Sequence, residues 1–230
     1  MPFRVRLFSE FPGARLPEET GRTYAQNAFG KAHAAASLTG ALALGDDSGL
    51  EVDALAGAPG LHTARFGGPG LDDRARWELL LERLRDVAPA RRTARFRCVI
   101  ALVGPAHGEK VVEGVVEGMI AEAPRGSGGF GYDPVFFYPP LGRTFAETGE
   151  LLATEWHSIF SVQRLDGRPM ALEEMPGGIA LLERRPAHST FSITGLDDRE
   201  RVISATAFPL LGHEDELHGI VAIFWEHREG

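Results

Sequence analysis

The chain has 230 residues, of which 43% are hydrophobic and 24% are charged, so it has the composition of a globular protein with enough apolar material for a core. Its formal net charge of -8 argues against binding to nucleic acid or to a membrane surface through a basic face. No run approaches the roughly 18 apolar residues of a membrane-spanning helix, and the first residues lack the apolar core of a secretory signal peptide.

The first predicted helix covers residues 23–40, with the sequence TYAQNAFGKAHAAASLTG. Thr23 has the side chain of an N-cap, and Gln26 follows three residues later, as in a capping box. Gly40 is a typical helix stop. The next residues, ALAL at 41–44, predict a buried strand.

Two adjacent carboxylates, Asp46 and Asp47, follow in the stretch ALGDDSGLEV at 43–52. A carboxylate at the carboxyl end of a strand lies where α/β sheets bind their ligands. Adjacent side chains on an extended strand point to opposite faces, so both acids serve one site only if the chain turns there. Gly45, Ser48 and Gly49 would permit that turn. An acidic metal site and a plain turn both remain open.

A second helix is predicted at 72–87, and two strands joined by a turn are predicted at 94–121. Cys98 lies in the apolar run FRCVIAL of the first of these strands, where we expect a buried structural thiol. Because it is the only cysteine, no internal disulfide framework exists, and a cytoplasmic protein is expected.

The segment APRGSGGFGYDP at 123–134 is too rich in glycine for regular structure. Its glycines allow close backbone approach and offer N–H groups to anions, while Phe130 and Tyr132 could stack on a base. A tight loop whose aromatic rings belong to the core is the alternative interpretation.

The pattern changes after residue 150, where a short strand and turn, a short helix and three antiparallel strands are predicted. We therefore expect an α/β protein with two domains. A mixed-sheet domain would cover residues 1–150, and a small α+β domain with an antiparallel sheet would cover residues 155–230.

The first domain resembles a known family in several motifs. They are TGRTYAQNAFGKA, GDDSGLEVDALAGAPGLHTARFGG, RRTARFRCVIAL, EGMI and APRGSGGFGYDPVFFYPPLGRTFAE. In this order and spacing, from about Leu7 to Glu147, they are similar to the noncanonical purine nucleoside-triphosphate pyrophosphatases, the inosine-triphosphate pyrophosphatase family.

The resemblance implies Mg²⁺-dependent hydrolysis of ITP, XTP or dITP to a monophosphate and pyrophosphate, with water attacking the α-phosphorus. It places Asp47 in the catalytic position, Asp46 beside it as a second metal or water ligand, and Lys31 on the phosphates. Ser48 and Gly49 would complete the acidic turn. The base and sugar would be held by one loop: Ser127, Gly128, Gly129, Phe130, Tyr132 and Asp133.

Three departures from the family predict impaired or lost catalysis. The family's first strand and triphosphate-binding loop would precede this sequence, so we expect them to be missing unless the true start codon lies upstream of Met1. Gln26 stands where the resemblance leads us to expect a glutamate, which would weaken the Mg²⁺ site. The family's Ser-His-Arg segment is replaced by a stretch that contains only His157-Ser158. Loss of such contacts costs decades of rate unless another chain supplies them.

Residues 160–229 resemble the later part of a PAS sensory domain. This half has no cysteine for a flavin–cysteinyl photosensor, and its scattered histidines show no haem or zinc pattern. We therefore expect a pyrophosphatase-like module coupled to a PAS-like domain for sensing or regulation. The alternatives are an active pyrophosphatase and a dimerisation scaffold. Truncated sheets leave unpaired edges, which favours a homodimer.

Overall fold

The computed structural model describes residues 6–105, 108–148, 161–195, 198–211 and 217–226. The chain divides into two compact units, Phe8–Glu150 and a second unit that comprises Leu151–Gly230 together with Met1–Leu7. Each unit has a sheet of its own.

Helix α1, Tyr24–Thr39, forms where the sequence predicts it. Thr23 caps its first turn by accepting the N–H of Gln26, at 3.2 Å. Gly40 ends it in the left-handed conformation, with φ at 66°, which glycine adopts without strain.

The first sheet has the strand order β1-β2-β3-β4-β5, and all its neighbouring strands are antiparallel. Its strands are β1 Ala43–Val52, β2 Thr93–Gly104, β3 Gly108–Ile120, β4 Phe136–Tyr138 and β5 Arg143–Thr144. The predicted hairpin at 94–121 is confirmed as β2 and β3.

The expectation of a turn between Gly45 and Gly49 is wrong. Strand β1 pairs with β2 without interruption from Ala43 opposite Val103 to Val52 opposite Ala94, so the acidic pair lies inside an extended strand. Pairing with β2 along ten residues keeps it extended.

The two faces of this sheet bury different helices. Helix α1 packs on one face through Ala28 and Ala32, which contact Val99 and Ala101 of β2 in one buried cluster. Helix α2, Asp73–Arg83, covers part of the other face in the larger core cluster. That cluster includes Leu50, Val52, Leu80, Leu84, Tyr132 and Phe136.

Short elements complete the first unit. Helix α3 is Phe145–Thr148, and the 3₁₀ segments are Phe8–Glu10, Asp53–Leu55, Gly60–Arg65, Pro89–Arg91 and Pro139–Leu141.

The second unit contains a four-stranded antiparallel sheet in the order β6-β7-β8-β9. Its elements are β6 Ser161–Gln163, a 3₁₀ turn Leu172–Glu174, helix α4 Pro176–Leu182, β7 Ala187–Thr194, β8 Glu200–Leu211 and β9 Leu217–Glu226. Phe191 and Ala205 lie in its core with Val162 and Met170.

The expectation of a buried thiol at Cys98 is wrong, because this side chain is exposed. Its cross-strand neighbours are Ser48 and Gly114, and these small residues do not cover it. No helix in the described part of the chain is long and apolar enough to cross a membrane.

Candidate active site

Asp47 is a buried carboxylate at the centre of a polar cluster. Its side chain leaves β1 on the face that α1 covers, and only 6% of the residue is exposed. Asn27 of α1 donates from Nδ2 to Asp47 Oδ2 across 3.0 Å. Asn27 Oδ1 in turn accepts the N–H of Gly21 at 2.8 Å, so the amide is held at both ends. Burial of a carboxylate without partners is costly, and these hydrogen bonds offset that cost.

Lys31 lies one turn further along α1 and contacts three oxygen atoms. Its Nζ is 3.2 Å from Asp47 Oδ1, 2.9 Å from the carbonyl oxygen of Asp46 and 2.8 Å from Glu19 Oε1. Burial alone would lower the pKa of Lys31, but the hydrogen bonds and charges of Glu19 and Asp47 raise it above its ordinary value. Lys31 is therefore a cation at neutral pH.

Glu19 is the residue that the sequence interpretation missed. It lies in the irregular segment before α1, and its two oxygens contact Lys31 and, at 2.9 Å, the Nη1 of Arg65. The hydrogen bond from Lys31 lowers the pKa of Glu19; burial opposes this shift, and Arg65 adds to it. No hydrophobic periodicity marks Glu19.

Gln26 does not contact this cluster in the structure, and the expectation that it weakens a Mg²⁺ site stays a prediction. Its Oε1 accepts the N–H of Arg22 at 2.7 Å, and its own N–H is bound by Thr23. The side chain therefore serves the start of α1, and Glu19 supplies the carboxylate beside Lys31 and Asp47.

Because β1 is extended, Asp46 and Ser48 do not share the environment of Asp47, whereas Gly49 lies on the same face as Asp47. The side chains of Asp46 and Ser48 are exposed on the opposite face of β1. Gly49 lies on the α1 face, where a Cβ would be 2.5 Å from the Gly60 carbonyl oxygen and from the Tyr24 hydroxyl. Its role is close packing of helix, strand and loop.

The glycine-rich loop separates the two aromatic residues that were expected on the base. Phe130 is 83% exposed, whereas Tyr132 is 3% exposed and belongs to the core. The Tyr132 hydroxyl donates to the Thr63 carbonyl oxygen at 3.0 Å, and burial raises its pKa to about 12. Phe130 is thus the aromatic residue of this pair that is available for stacking.

Asp133 holds the loop from within. Its carboxylate accepts the Phe130 N–H at 3.0 Å, and burial raises its pKa although that hydrogen bond opposes the shift. Gly129, with φ at 75°, leaves room for it, since a Cβ there would be 2.1 Å from Asp133 Oδ2. The loop's neighbours Ser127 and Gly128 are exposed and half-buried, respectively.

A cleft of about 420 Å³ opens beside the start of α1. Its lining includes Tyr24, whose buried hydroxyl has no hydrogen bond of normal geometry within the described part of the chain. Burial and then the charge of Glu51 raise the pKa of Tyr24. Arg97 also lines the cleft, and it is already paired with Glu51 and Glu113.

The donor set around Lys31 fits a hard divalent cation. Carboxylate and carbonyl oxygens are the ligands that Mg²⁺ prefers, and it commonly uses one or two carboxylates with substrate phosphates. Within the described residues no group of three or more His, Cys, Asp and Glu side chains could hold a metal. Glu19 and Asp47 therefore suit a cation shared with a substrate. His157-Ser158 lie outside the described residues.

Known proteins are similar to part of this chain in sequence and in fold. The dITP/XTP pyrophosphatase of Desulforamulus reducens is 53% identical over 145 residues, 63% of this chain and 72% of that protein. The dITP/XTP pyrophosphatase of Thermus thermophilus is 53% identical over 135 residues, 59% of this chain and 65% of its own length. The crystal structure of a nucleoside-triphosphatase / dITP/XTP pyrophosphatase from Mycobacterium abscessus matches with a TM-score of 0.56 and 42% identity, over 66% of this chain and 74% of that chain.

The first unit thus has the mixed α/β fold of the Ham1 proteins. A model of the Ham1 family matches residues 2–157, and the chain belongs to that family. The chain spans between 65% and 74% of the lengths of these relatives.

Proposed function

We propose that the unit Phe8–Glu150 hydrolyses noncanonical purine nucleoside triphosphates such as dITP, ITP and XTP to a monophosphate and pyrophosphate. The observation that carries the proposal is the buried Asp47 carboxylate, held between Asn27 and Lys31 with Glu19 adjacent. The names of the relatives favour this active reading over lost catalysis.

In this proposal, Asp47 accepts the proton of the water that attacks the α-phosphorus, while the bond from that phosphorus to the pyrophosphate oxygen breaks. Asn27 fixes Oδ2 of Asp47, so the carboxylate presents a defined oxygen to the water. Glu19 and Asp47 would hold Mg²⁺, which neutralises charge on the phosphates when bound. Lys31 adds a positive charge that can follow the phosphates.

The glycine-rich loop supplies the contact with the base in this proposal. Phe130 is exposed at its tip and offers a ring face, and base–aromatic stacking is worth about 1–3 kcal/mol per base. Tyr132 and Asp133 support the loop from the core side.

The test is pyrophosphate release by the full chain with Mg²⁺, with dITP, ITP and XTP compared with ATP and GTP. The proposal expects pyrophosphate, rather than orthophosphate, and faster turnover of the first three nucleotides. Orthophosphate as the first product, or equal rates on ATP, would contradict it.

A second candidate function is regulation, in which a PAS-like C-terminal domain senses a ligand and the first unit has impaired catalysis. The element order of the second unit favours it, since a short strand, a helix and three antiparallel strands follow one another. A small molecule that raises the melting midpoint of the full chain would support sensing, because ligands of the folded state stabilise it. Turnover above roughly 1 s⁻¹ would exclude impaired catalysis.

We also propose a homodimer. Strand β1 is the outer strand of the first sheet within the described residues, and it is ten residues long. Long edges of this kind need a cover or a partner. Light scattering on the full chain should give the mass of two copies, and a stable monomer would contradict the proposal.

A further inference from the structure

The ammonium group of Lys31 occupies the centre of the polar cluster. An ammonium has three N–H donors, and three oxygens lie within hydrogen-bond distance of this one. They are Glu19 Oε1, Asp47 Oδ1 and the Asp46 carbonyl oxygen, at 2.8, 3.2 and 2.9 Å. The side chain of Lys31 is 20% exposed and that of Asp47 is 9% exposed, so water offers little alternative solvation.

These oxygens are the same kind of ligands that a divalent cation would use. Two carboxylates and one carbonyl around a single positive centre resemble a cation site with an ammonium in it. Without a positive charge, Glu19 and Asp47 would repel each other in a half-buried setting where water screens charges poorly.

We propose that Lys31 is a placeholder cation, which occupies the divalent-cation site of the substrate-free protein and must leave it when the metal enters. The ammonium and the metal then compete for the same oxygens. Arg65 keeps its contact with Glu19 Oε2 and holds that carboxylate in place during the exchange. This inference rests on the proposed function only in assigning a divalent cation to Glu19 and Asp47.

The exchange also links metal binding to the substrate. The released Lys31 side chain starts from α1 beside the two carboxylates, so its charge becomes available to an anion at the same place. A triphosphate that arrives with the metal gives the ammonium a new partner. Metal and nucleotide should therefore bind more tightly together than either does alone.

The direct test measures Mn²⁺ binding in the absence of nucleotide. Binding is monitored through the electron paramagnetic resonance signal of the free ion. Lys31→Met keeps most of the length of the side chain and removes its charge. Lys110→Met is a matched control, since Lys110 is the other lysine of the chain and is exposed on β3. We expect Lys31→Met to bind Mn²⁺ at least about tenfold more tightly than Lys110→Met, because a unit charge beside a divalent ion has been removed. Equal or weaker binding would overturn the inference.

A second measurement uses the unchanged chain and does not depend on a variant that folds. With two lysines, a protein labelled with ¹³C at the lysine ε-carbons gives two signals. Added Mg²⁺ should move the Lys31 signal and leave the Lys110 signal in place. Mg²⁺ that competes with Mn²⁺ for the protein but leaves the Lys31 signal unmoved would contradict a placeholder.

These outcomes are separate from those of the proposed function. A chain that exchanges Lys31 for Mn²⁺ but does not release pyrophosphate would refute the proposed pyrophosphatase activity and support Lys31 as a placeholder cation. A chain that turns over dITP while Lys31→Met gains no Mn²⁺ affinity would support the activity and refute the placeholder.

Discussion

Asn27 Nδ2 lies 3.0 Å from Asp47 Oδ2, and both residues are buried. This hydrogen bond joins the end of the first turn of α1 to the middle of β1 and ties the helix to the strand that carries the acidic group. Gly45 and Gly49 flank Asp47 and let α1 approach closely, since a Cβ at Gly45 would be 2.5 Å from the Ala28 carbonyl oxygen. The candidate site therefore also lies where α1 packs closely on β1.

Asn27→Ala should lower both stability and activity. The substitution leaves Asp47 Oδ2 and the Gly21 N–H without their partner, and an unsatisfied buried group costs about 1–3 kcal/mol in the free energy of unfolding. Urea unfolding measures this loss in the free energy of unfolding. Gln26→Ala, at the exposed cap, is the control and should cost less. Equal losses for the two variants would contradict the buried role of Asn27.

Two glycine substitutions should act in opposite directions. Gly30→Ala lies inside α1 with no atom within 4 Å of the new Cβ, so it should stabilise the helix by about 0.5–1 kcal/mol. Gly45→Ala places its Cβ against the backbone of Ala28 and Ala32, and overpacking of this kind costs about 1–3 kcal/mol. Thermal unfolding of both variants checks the sign. A stabilising Gly45→Ala would show that α1 does not lie against β1 as described.

The Glu19–Lys31 pair should stabilise the fold within a defined pH window. Lys31 and Arg65 lower the pKa of Glu19, so its contribution is present above the ordinary glutamate pKa and is lost as pH falls through the lowered pKa. The pKa of Lys31 is raised, so its contribution is present below about pH 10 and is lost as pH rises through the raised value.

The difference in unfolding free energy between the wild type and Glu19→Gln, measured by urea at several pH values, tests this window. It should be largest near neutral pH and should shrink in acid. Glu78→Gln removes the same charge from an exposed pair with Arg74 and controls for net charge. A Glu19→Gln difference that stays constant from neutral to strongly acidic pH would contradict the ion pair.

Phe130 and Tyr132 should separate substrate binding from stability. Phe130→Ala removes an exposed ring, so stability should change by less than about 0.5 kcal/mol. Its KM for dITP should rise about tenfold or more through lost stacking. Tyr132→Phe removes the hydrogen bond to Thr63 and should cost about 0.5–1.5 kcal/mol of stability. Calorimetry and steady-state kinetics on both variants measure these effects. A loss of stability in Phe130→Ala together with a raised KM in Tyr132→Phe would contradict the two roles.

Local patterns in the sequence were sufficient for the elements with strong signals. The Thr23 cap and the Gly40 stop define α1, and the strand–turn–strand pattern over 94–121 predicts the hairpin of β2 and β3. Turn-like residues misled the interpretation at Asp46–Asp47, because pairing with β2 outweighs the turn preference of Gly, Asp and Ser.

The site was only partly accessible from sequence. Lys31 and Asp47 were identified through motifs, whereas Glu19 has no local pattern and becomes significant only when the chain before α1 folds back onto Lys31. Gln26 was assigned to the metal through the family resemblance, although it also has the capping-box spacing after Thr23, and in the structure its side chain accepts the Arg22 N–H. Cys98 was expected to be buried because its neighbours are apolar, yet exposure depends on what covers that part of the sheet.

The most direct test of the account compares two neighbouring aspartates. Asp47→Asn and Asp46→Asn are the same isosteric change on opposite faces of β1. With dITP and Mg²⁺, the account predicts that Asp47→Asn lowers kcat/KM for pyrophosphate release by about 10²-fold or more, as loss of a general base does. Asp46→Asn should stay close to the wild-type rate, because its carbonyl oxygen, which contacts Lys31, is retained. Equal losses in the two variants, or an active Asp47→Asn enzyme, would contradict the central claim that Asp47 is the catalytic carboxylate.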